Sequence, residues 1–489
     1  MQTAVEPATD DAVLRAHARR VTLAVIASAY MLIAAALSLT KIPICDEGLY
    51  ADPALHLIRH GNMGSPVLES AGTFLTGIDQ KTYWIMPVHI LVQAAWDRIF
   101  GPSLFSARML SAVAGLAALL CFYIVVRRIT SRERLALFVM GLIAVDTSFL
   151  VLAGTGRSDM LSLAFGAAAQ ASYLTLRASK LTTAVLVAHA FVAASGLTHP
   201  IGGLAAFASL VCLQFYFDGA RRIAIAAIPY AAGAAAWGLY IARAPQFFLA
   251  QFGGNSGERL WPWKLPLLAV RREVVERYIG GYTMGSAWSR LADVRLLILA
   301  AYLTAVIAVL ATPRLRRNPL AKVALVQAGL IAMILLLFEG AKQPWYLIYL
   351  VFPLAALLAL AVPRRSAWTA AMAAFIGLQL AYPAMVIVQD KYRKTYMPLI
   401  EHVAPGTFTM GTAELGFGLG FENVLDDPRL GFYTGQTPDN IVLDPRYESY
   451  IKDAPQPVRT YIADFLNRQY RLAFSNSYYT LYTRQRPGE

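Results

Sequence analysis

The chain has 489 residues, of which 57% are hydrophobic and only 15% charged, and its formal net charge is +13. A soluble protein of this length would form several domains and carry more surface charge. The positive charge does not indicate nucleic-acid binding, because the basic residues cluster in short loops between apolar runs. The composition therefore favours a membrane protein with several spans and excludes a nucleic-acid-binding one.

The first apolar run extends from Val21 to Thr40. A length of about 20 residues is enough to cross the hydrocarbon core of a bilayer. It is too long for the core of a signal peptide, and no convincing cleavage site follows it. We expect it to be retained as the first spanning helix.

The stretch KIPICDEGLYADP, residues 41–53, follows this run directly and contains the adjacent acids Asp46 and Glu47. A carboxylate pair at this place could supply a general base for a hydroxyl nucleophile, or a ligand for a divalent cation. Two solvated acids flanking a membrane helix explain the pair equally well. Asp52 and Pro53 are typical of a helix start, and Gly61 of its end.

Residues 83–100 are apolar enough to span the membrane, yet they contain four polar side chains: His89, Gln93, Asp97 and Arg98. Counting the segment as a crossing would move the later arginine-rich loops outside, against the positive-inside rule. We therefore expect a helix that lies along the membrane interface, with Trp84 and Trp96 as anchors.

With that choice, about eleven spans are predicted near residues 21–41, 107–126, 135–153, 160–177, 183–198, 201–217, 223–242, 295–312, 321–338, 347–362 and 367–388. The N-terminus is then cytoplasmic and the C-terminus lies outside. The basic residues that fall in the inner loops include Arg19, Arg20, Arg127, Arg128, Arg132, Arg134, Arg177, Lys180, Arg221, Arg222, Arg314, Arg316, Arg317, Arg364 and Arg365.

Two larger segments remain outside, besides the first outer loop at 42–106. The loop 243–294 contains the stretch WPWKLPLLAVRREVVERYIGGY, residues 261–282, whose apolar residues recur at helical spacing opposite charged residues, and this pattern predicts a second interfacial helix. After residue 390 the sequence becomes polar and of domain size. We expect a membrane domain at 1–388 and a small extramembrane α/β or mixed domain at 389–489.

Short outer turns supply the remaining candidate residues. Arg157 and Asp159, in GTGRSDM, would face the same outer surface as Asp46, although an acid there also caps a helix. His199 in LTHP is a candidate for substrate binding, but a lone histidine is more often structural.

Two lysines and a tyrosine complete the set. Lys81 could meet a lipid-linked phosphate at headgroup depth, or could be an ordinary interfacial lysine. Lys342 and Tyr346, in EGAKQPWYLIYLVFP, reach an outer turn that also suits an aromatic belt. Asp146 lies within a span, so it needs a partner, and that partner could be structural.

The order of these features resembles the GT-C class of membrane glycosyltransferases, in particular the group that holds the protein O-mannosyltransferases and the lipid A aminoarabinose transferases. The residues that carry the resemblance are DEGLY after the first span, KTYW leading to FGPSLFSARMLSAVAGL, then GRSDMLSL, and KQPWYLIYLVFPLAALLAL near the penultimate spans. They extend over about residues 40–360, and their order is more specific than any one of them.

The resemblance implies transfer of a hexosyl or pentosyl group from a polyprenyl-phosphate sugar to a lipid, polysaccharide or protein acceptor, outside the cytoplasmic membrane. It implies Asp46 as general base with Glu47 assisting, and Asp159 as a supporting acid. Lys81, Tyr346 and Lys342 would then meet the donor phosphate. A divalent cation is permitted by the nearby acids but is not required.

The chain departs from the aminoarabinose transferases in two places. Leu49 stands where they tend to have an arginine, and KTY replaces their usual Lys-Pro-Pro. These departures count against an aminoarabinose donor and a lipid A acceptor, and leave the reaction class unchanged. The alternative from another class is a transporter or flippase of a lipid-linked sugar, which would form no glycosidic bond.

Overall fold

The computed structural model describes residues 10–283, 289–362 and 367–485. The helices of the first part are α1 Asp10–Thr40, α2 Cys45–His60, α3 Pro87–Phe100, α4 Leu104–Thr130, α5 Glu133–Val145, α6 Thr147–Ala153, α7 Ser158–Leu176, α8 Leu181–Gly196, α9 Pro200–Phe217, α10 Ala227–Ile241 and α11 Pro245–Arg259.

The later helices are α12 Pro266–Arg272, α13 Gly280–Thr283, α14 Ser289–Ala311, α15 Pro313–Arg316, α16 Pro319–Phe338, α17 Ile348–Ala361, α18 Ala367–Gln389, α19 Met397–His402, α20 Gly416–Leu419, α21 Pro445–Asp453 and α22 Gln456–Gln469. A π-helical stretch, Glu273–Ile279, joins α12 to α13. The strands are β1 Thr409–Met410, β2 Val424–Leu425, β3 Asn440–Leu443, β4 Tyr470–Ser475 and β5 Thr480–Arg484.

Every predicted span coincides with helix in the described parts of the chain. Eight of these helices are long and apolar enough to cross a membrane by themselves, and α5 with α6 makes a ninth candidate bent by 63°. α8 is a shorter apolar helix, and α7 completes the set of eleven. The expected polytopic helical fold is therefore confirmed. Of the predicted inner-loop arginines, Arg364 and Arg365 lie outside the described residues.

The bend between α5 and α6 explains the intramembrane Asp146. Its side chain caps α6 by accepting a hydrogen bond from the backbone N–H of Phe149 at 3.2 Å. It also accepts bonds from the Tyr302 hydroxyl at 2.8 Å and the Gln379 amide at 3.1 Å. These partners belong to three different spanning helices, so the acid joins helices at the break.

Both predicted interfacial helices turn their polar side toward the protein. In α3, Gln93 and Asp97 are buried whereas Ile99 is 74% exposed. In the second, Leu267 of α12 is 87% exposed, whereas Arg277 of the π-helical stretch that follows is fully buried. A helix with an outward apolar face and an inward polar face suits a lipid-facing position beside a polar interior.

The C-terminal part forms the expected α/β fold. Its five strands lie in the order β2-β1-β3-β5-β4, with β1 parallel to both β2 and β3 and with β5 antiparallel to both β3 and β4. α21 and α22 pack with this sheet through a separate apolar core that includes Met410, Tyr447 and Ile462. The domain limit at 388/389 stays a prediction.

The C-terminal part contacts the first outer loop closely. A Cβ added to Gly48 of α2 would lie 2.3 Å from the carbonyl carbon of Ala413, so the two backbones touch where only glycine fits. The N–H of Asp426 donates to the Val67 carbonyl at 2.6 Å. These contacts hold the C-terminal domain over the start of α2, where Asp46 lies.

Candidate active site

Asp46 and Glu47 both lie in the first turn of α2, and the helix directs their side chains to different sides. Glu47 is fully buried, and both its carboxylate oxygens accept bonds of 2.7 Å from the Arg108 guanidinium. The N–H groups of Gly156 and Ile44 add bonds of 2.8 and 3.0 Å. Burial raises the pKa of Glu47, but Arg108 outweighs it, so the net shift is downward and the residue stays ionised.

These contacts make Glu47 an anchor that ties α2 to α4 and to the turn before α7. Its oxygens are occupied by fixed partners, which favours this anchoring role over the expected assistance to a base. Adjacent residues of a helix point in different directions. Asp46 therefore faces away from the anchor, and its side chain is 41% exposed.

Asp46 and Asp159 share one arginine. Arg157 donates through Nη1 to Oδ2 of Asp46, and through Nε to Oδ2 of Asp159 at 2.8 Å. The guanidinium is 4% exposed and lies 5.7 Å from the ring centres of both Tyr50 and Trp345. Ion pairs and ring contacts therefore hold Arg157 in place, while the second oxygen of Asp46 makes no hydrogen bond to any described residue.

His199 lies beside this group as the N-cap of α9. Its Nδ1 accepts a bond from the Gly202 N–H at 3.3 Å, and its Nε2 lies 3.9 Å from Oδ1 of the fully buried Asp159. Burial lowers the pKa of His199 to about 4, against the opposing charge of Asp159. The imidazole is therefore neutral at pH 7.

A second cation faces the cavity from α11. Arg259 donates through Nη1 to the Tyr346 hydroxyl at 3.3 Å and to Glu339 at 3.4 Å, and its side chain is 31% exposed. The Tyr346 ring lies 5.1 Å from the His199 ring. Arg259 and Tyr346 thus present an N–H and an O–H donor on the side where His199 lies.

These groups open onto one cavity of about 710 Å³. That volume is within the usual range for small-molecule sites, about 300–1,000 Å³. The C-terminal domain supplies part of the wall. The charged and polar residues that line the cavity include Asp46, Tyr50, Arg157, Ser158, His199, Asn255, Arg259, Tyr346, Asp444, Arg446 and Tyr478.

Four predicted site residues are not part of this lining, and one of them is Asp159, which is bonded to Arg157. Glu47 is the anchor described above, and Lys81 is half-buried with its carbonyl bonded to Gln251 at 2.9 Å. Lys342 is buried, and its ammonium pairs with Glu273 at 2.9 Å and donates to the Leu336 carbonyl at 2.8 Å. These fixed partners within the protein count against the expected contact of Lys342 with a donor phosphate, which stays a prediction.

The sequence analysis missed three arginines that matter here. Arg108 was quoted only within a motif, and Arg259 was one of several arginines in an outer loop. Arg446 approaches the site from α21, donates to Asp426 at 3.2 Å and bonds to the Cys45 sulfur. No local signal distinguishes Arg446, because its approach to α2 depends on the fold of the C-terminal domain.

A metal site was left open by the sequence. Within residues 10–283, 289–362 and 367–485, no three histidine, cysteine, aspartate or glutamate side chains are grouped so that they could hold a metal ion.

No protein-family model and no curated protein matches the chain. Among solved structures, it is similar to ArnT from Cupriavidus metallidurans bound to undecaprenyl phosphate, with 15% identity, a TM-score of 0.59, and coverage of 94% of this chain and 97% of that one. The apo state of that protein gives the same values. The oligosaccharyltransferase AglB from Archaeoglobus fulgidus, in complex with an inhibitory peptide and a dolichol-phosphate, has 14% identity and a TM-score of 0.46, with coverage of 91% and 69%.

Proposed function

We propose that this chain, which has the GT-C fold of the ArnT structures, is an inverting glycosyltransferase that uses a polyprenyl-phosphate sugar as donor. The acceptor is a lipid, polysaccharide or protein on the outer face of the cytoplasmic membrane. The N-terminus then lies in the cytoplasm and the C-terminus outside. The observation that carries the proposal is the cavity in which a half-exposed carboxylate faces arginine and tyrosine donors.

Asp46 is the general base of this proposal. It is the ionisable carboxylate of the acidic pair that lines the cavity, and one of its oxygens is free of protein partners. That oxygen takes the proton from an acceptor hydroxyl or amine as the acceptor attacks the anomeric carbon. Arg157 fixes the other oxygen and so keeps the base in one orientation.

The leaving polyprenyl phosphate is stabilised by Arg259 and the Tyr346 hydroxyl, with Arg157 nearby. Preorganised donors of this kind act where charge develops during the reaction. The undecaprenyl phosphate bound to ArnT is a ligand of the matching chemical class. The anomeric carbon–oxygen bond breaks, the phosphate keeps the electron pair, and the acceptor oxygen or nitrogen forms the new bond with inversion.

The Asp46→Asn variant tests this assignment, because asparagine keeps the shape and removes the basic oxygen. A placed general base contributes about 10²–10⁴ in rate, so we expect transfer to fall by that factor. The assay is product formation by detergent-solubilised protein with a radiolabelled polyprenyl-phosphate sugar and a membrane-lipid extract as acceptor source.

Asp464→Asn is the control, because Asp464 is an exposed carboxylate on α22 outside the cavity lining. It should transfer at the wild-type rate. Near-normal turnover by the Asp46→Asn protein would remove the base from the mechanism. Lipid movement without a new glycosidic bond would instead support a flippase.

A further inference from the structure

A group of buried polar atoms without hydrogen-bond partners lies beside the cavity. Both ring nitrogens of His89, the hydroxyl of Ser158 and Oδ1 of Asp159 make no hydrogen bond within the described residues. All three side chains are at most 1% exposed. Native proteins pair the large majority of buried polar groups, so four such atoms in one place need an explanation.

The three residues gather around the start of α7. Ser158 and Asp159 are its first two residues, and Ser158 lines the cavity. His89 lies on α3, where its ring packs edge-on against Tyr50 at 5.1 Å between centres. The N–H of Val88 donates to the Leu197 carbonyl at 2.9 Å, which fixes the start of α3 to the loop that carries His199.

A polar group buried without a partner costs about 1–3 kcal/mol. Such a set is retained at little cost when a ligand completes the hydrogen bonds. A site built to pair with substrate hydroxyls also rejects an analogue that lacks them, because its own atoms are then left unpaired.

We propose that Ser158, Asp159 and His89 form the subsite that binds the hydroxyl groups of the transferred sugar. The inference rests on the proposed function and adds to it the chemical class of the sugar, a neutral polyhydroxylated ring. Ser158 makes contact at the cavity surface, and His89 and Asp159, which do not line the cavity, support it from behind.

The charges of the surrounding elements match hydroxyl groups better than a phosphate. The charge of Asp159 is paired with Arg157, and its Oδ1 is an acceptor that can take a hydrogen bond from an alcohol but not from an ionised phosphate oxygen. Burial lowers the pKa of His89 to about 4, with Asp159 opposing and His199 adding to the shift, so its ring is neutral. A neutral imidazole offers one donor and one acceptor, and a serine hydroxyl offers both. The mixed set complements alcohols, while the phosphate is left to Arg259.

The test compares affinities for two probes, undecaprenyl phosphate and undecaprenyl phosphate carrying glucose or mannose. In wild-type protein we expect at least one hexose to tighten binding about tenfold, the factor that corresponds to one net hydrogen bond. Ser158→Ala and His89→Phe should shrink this gain to twofold or less, while both variants bind undecaprenyl phosphate as wild type does. The phenyl ring of His89→Phe keeps the packing on Tyr50.

Ser162→Ala is the matched control. It is the same change one helical turn further along α7, but its hydroxyl is already bonded to Ser195 at 2.8 Å. This variant should keep the full gain. An unchanged gain in Ser158→Ala and His89→Phe, or equal affinity of wild type for the bare and the sugar-carrying lipids, overturns the subsite. Failure of wild type to bind either lipid would instead contradict the proposed function.

Discussion

At the scale of single residues, the site depends on which charged side chains have all their partners within the protein and which keep atoms free to bind a substrate. Glu47 and Lys342 are both charged and both near the membrane surface, yet each is satisfied by fixed partners inside the protein. Asp46 and Arg259 are only partly satisfied and face the cavity. A charged group that retains free oxygens or N–H groups can change partner during a reaction at little structural cost.

This distinction predicts opposite effects for two cations. Arg259→Gln removes a guanidinium that we expect to bond the donor phosphate, and a charge-assisted hydrogen bond contributes about 1.5–3 kcal/mol. The Kd for undecaprenyl phosphate should therefore rise about tenfold or more. Titration calorimetry or fluorescence quenching in detergent measures it.

Lys342→Gln provides the comparison. It should leave that Kd unchanged within about twofold and lower the unfolding temperature, because it removes one partner of the buried Glu273. If Lys342→Gln weakened lipid binding as strongly as Arg259→Gln, the orientation of this lysine in the structure would be wrong.

The sequence identifies which outer turns meet, but not the direction of each side chain. Asp46, Arg157, His199 and Tyr346 were named from their turns, and they line one cavity. Lys342 was equally plausible at its turn. Its direction is set by Glu273, which lies in a different outer segment, so no local pattern could reveal it. Arg446 is the converse case, since a distant domain brings it to the cavity.

At the scale of elements, α2 is held on two sides. Glu47 ties its start to Arg108 of α4, and its glycine allows close contact with the segment 413–415 of the C-terminal domain. The two segments each contain a buried carboxyl group, Asp52 in α2 and Glu414 in the C-terminal domain. Asp52 accepts bonds from Ser65 and Val67 at 2.8 and 3.2 Å, and Glu414 accepts from Thr412 at 2.6 Å.

These two acids predict a loss of stability as the pH rises. Burial raises the pKa of Asp52 to about 7 and that of Glu414 to about 8. The folded state therefore holds protons that the unfolded state has released, so this contribution is full near pH 4 and is lost through pH 7 and 8. Between pH 6.5 and 8.5 we expect a loss on the order of 2 kcal/mol.

The measurement is the thermal unfolding temperature in detergent over that pH range, for wild type and for the Asp52→Asn/Glu414→Gln double variant. His89 and His199 are neutral in the folded state there, and their protonation on unfolding affects both proteins equally. Lys41, whose pKa burial lowers to about 7, acts in the opposite direction in both proteins. The difference in unfolding temperature between the two proteins therefore reports the contribution of the two carboxyl groups. Parallel pH profiles of the unfolding temperature would contradict their role.

The first interfacial helix could be predicted because a crossing there would break the positive-inside pattern, and the second because its apolar residues recur at helical spacing. What lies against their polar faces could not. In the helix after α12, Arg277 bonds to Glu273 at 2.6 Å and to Glu339 at 2.7 Å. Glu339 also accepts a hydrogen bond from Arg259 of the cavity wall. The interfacial helix therefore supports the cavity wall through Glu339.

At the scale of the whole molecule, the spanning helices could be predicted from the sequence because a bilayer requires about 20 apolar residues for each crossing. The break at Asp146 was not visible, since α5 and α6 form one apolar run in the sequence. The placement of the cavity also depends on the number of crossings. If α3 crossed the membrane, Asp46 and the later outer turns would lie on opposite sides, and no shared cavity would form.

Single-cysteine labelling tests this topology. In a protein whose three native cysteines are replaced by serine, cysteine is introduced at Gln80, Arg128, Arg314 or Arg459, each exposed in the structure. With α3 lying along the interface, the first and last sites should react with a membrane-impermeant maleimide in right-side-out vesicles. The two arginine-loop sites should react only after permeabilisation, as the positive-inside rule requires. A crossing at α3 would reverse the last three sites relative to Gln80. That pattern would place Arg157, His199 and Tyr346 on the opposite side from Asp46, and with it the proposed transfer on the outer face would fail.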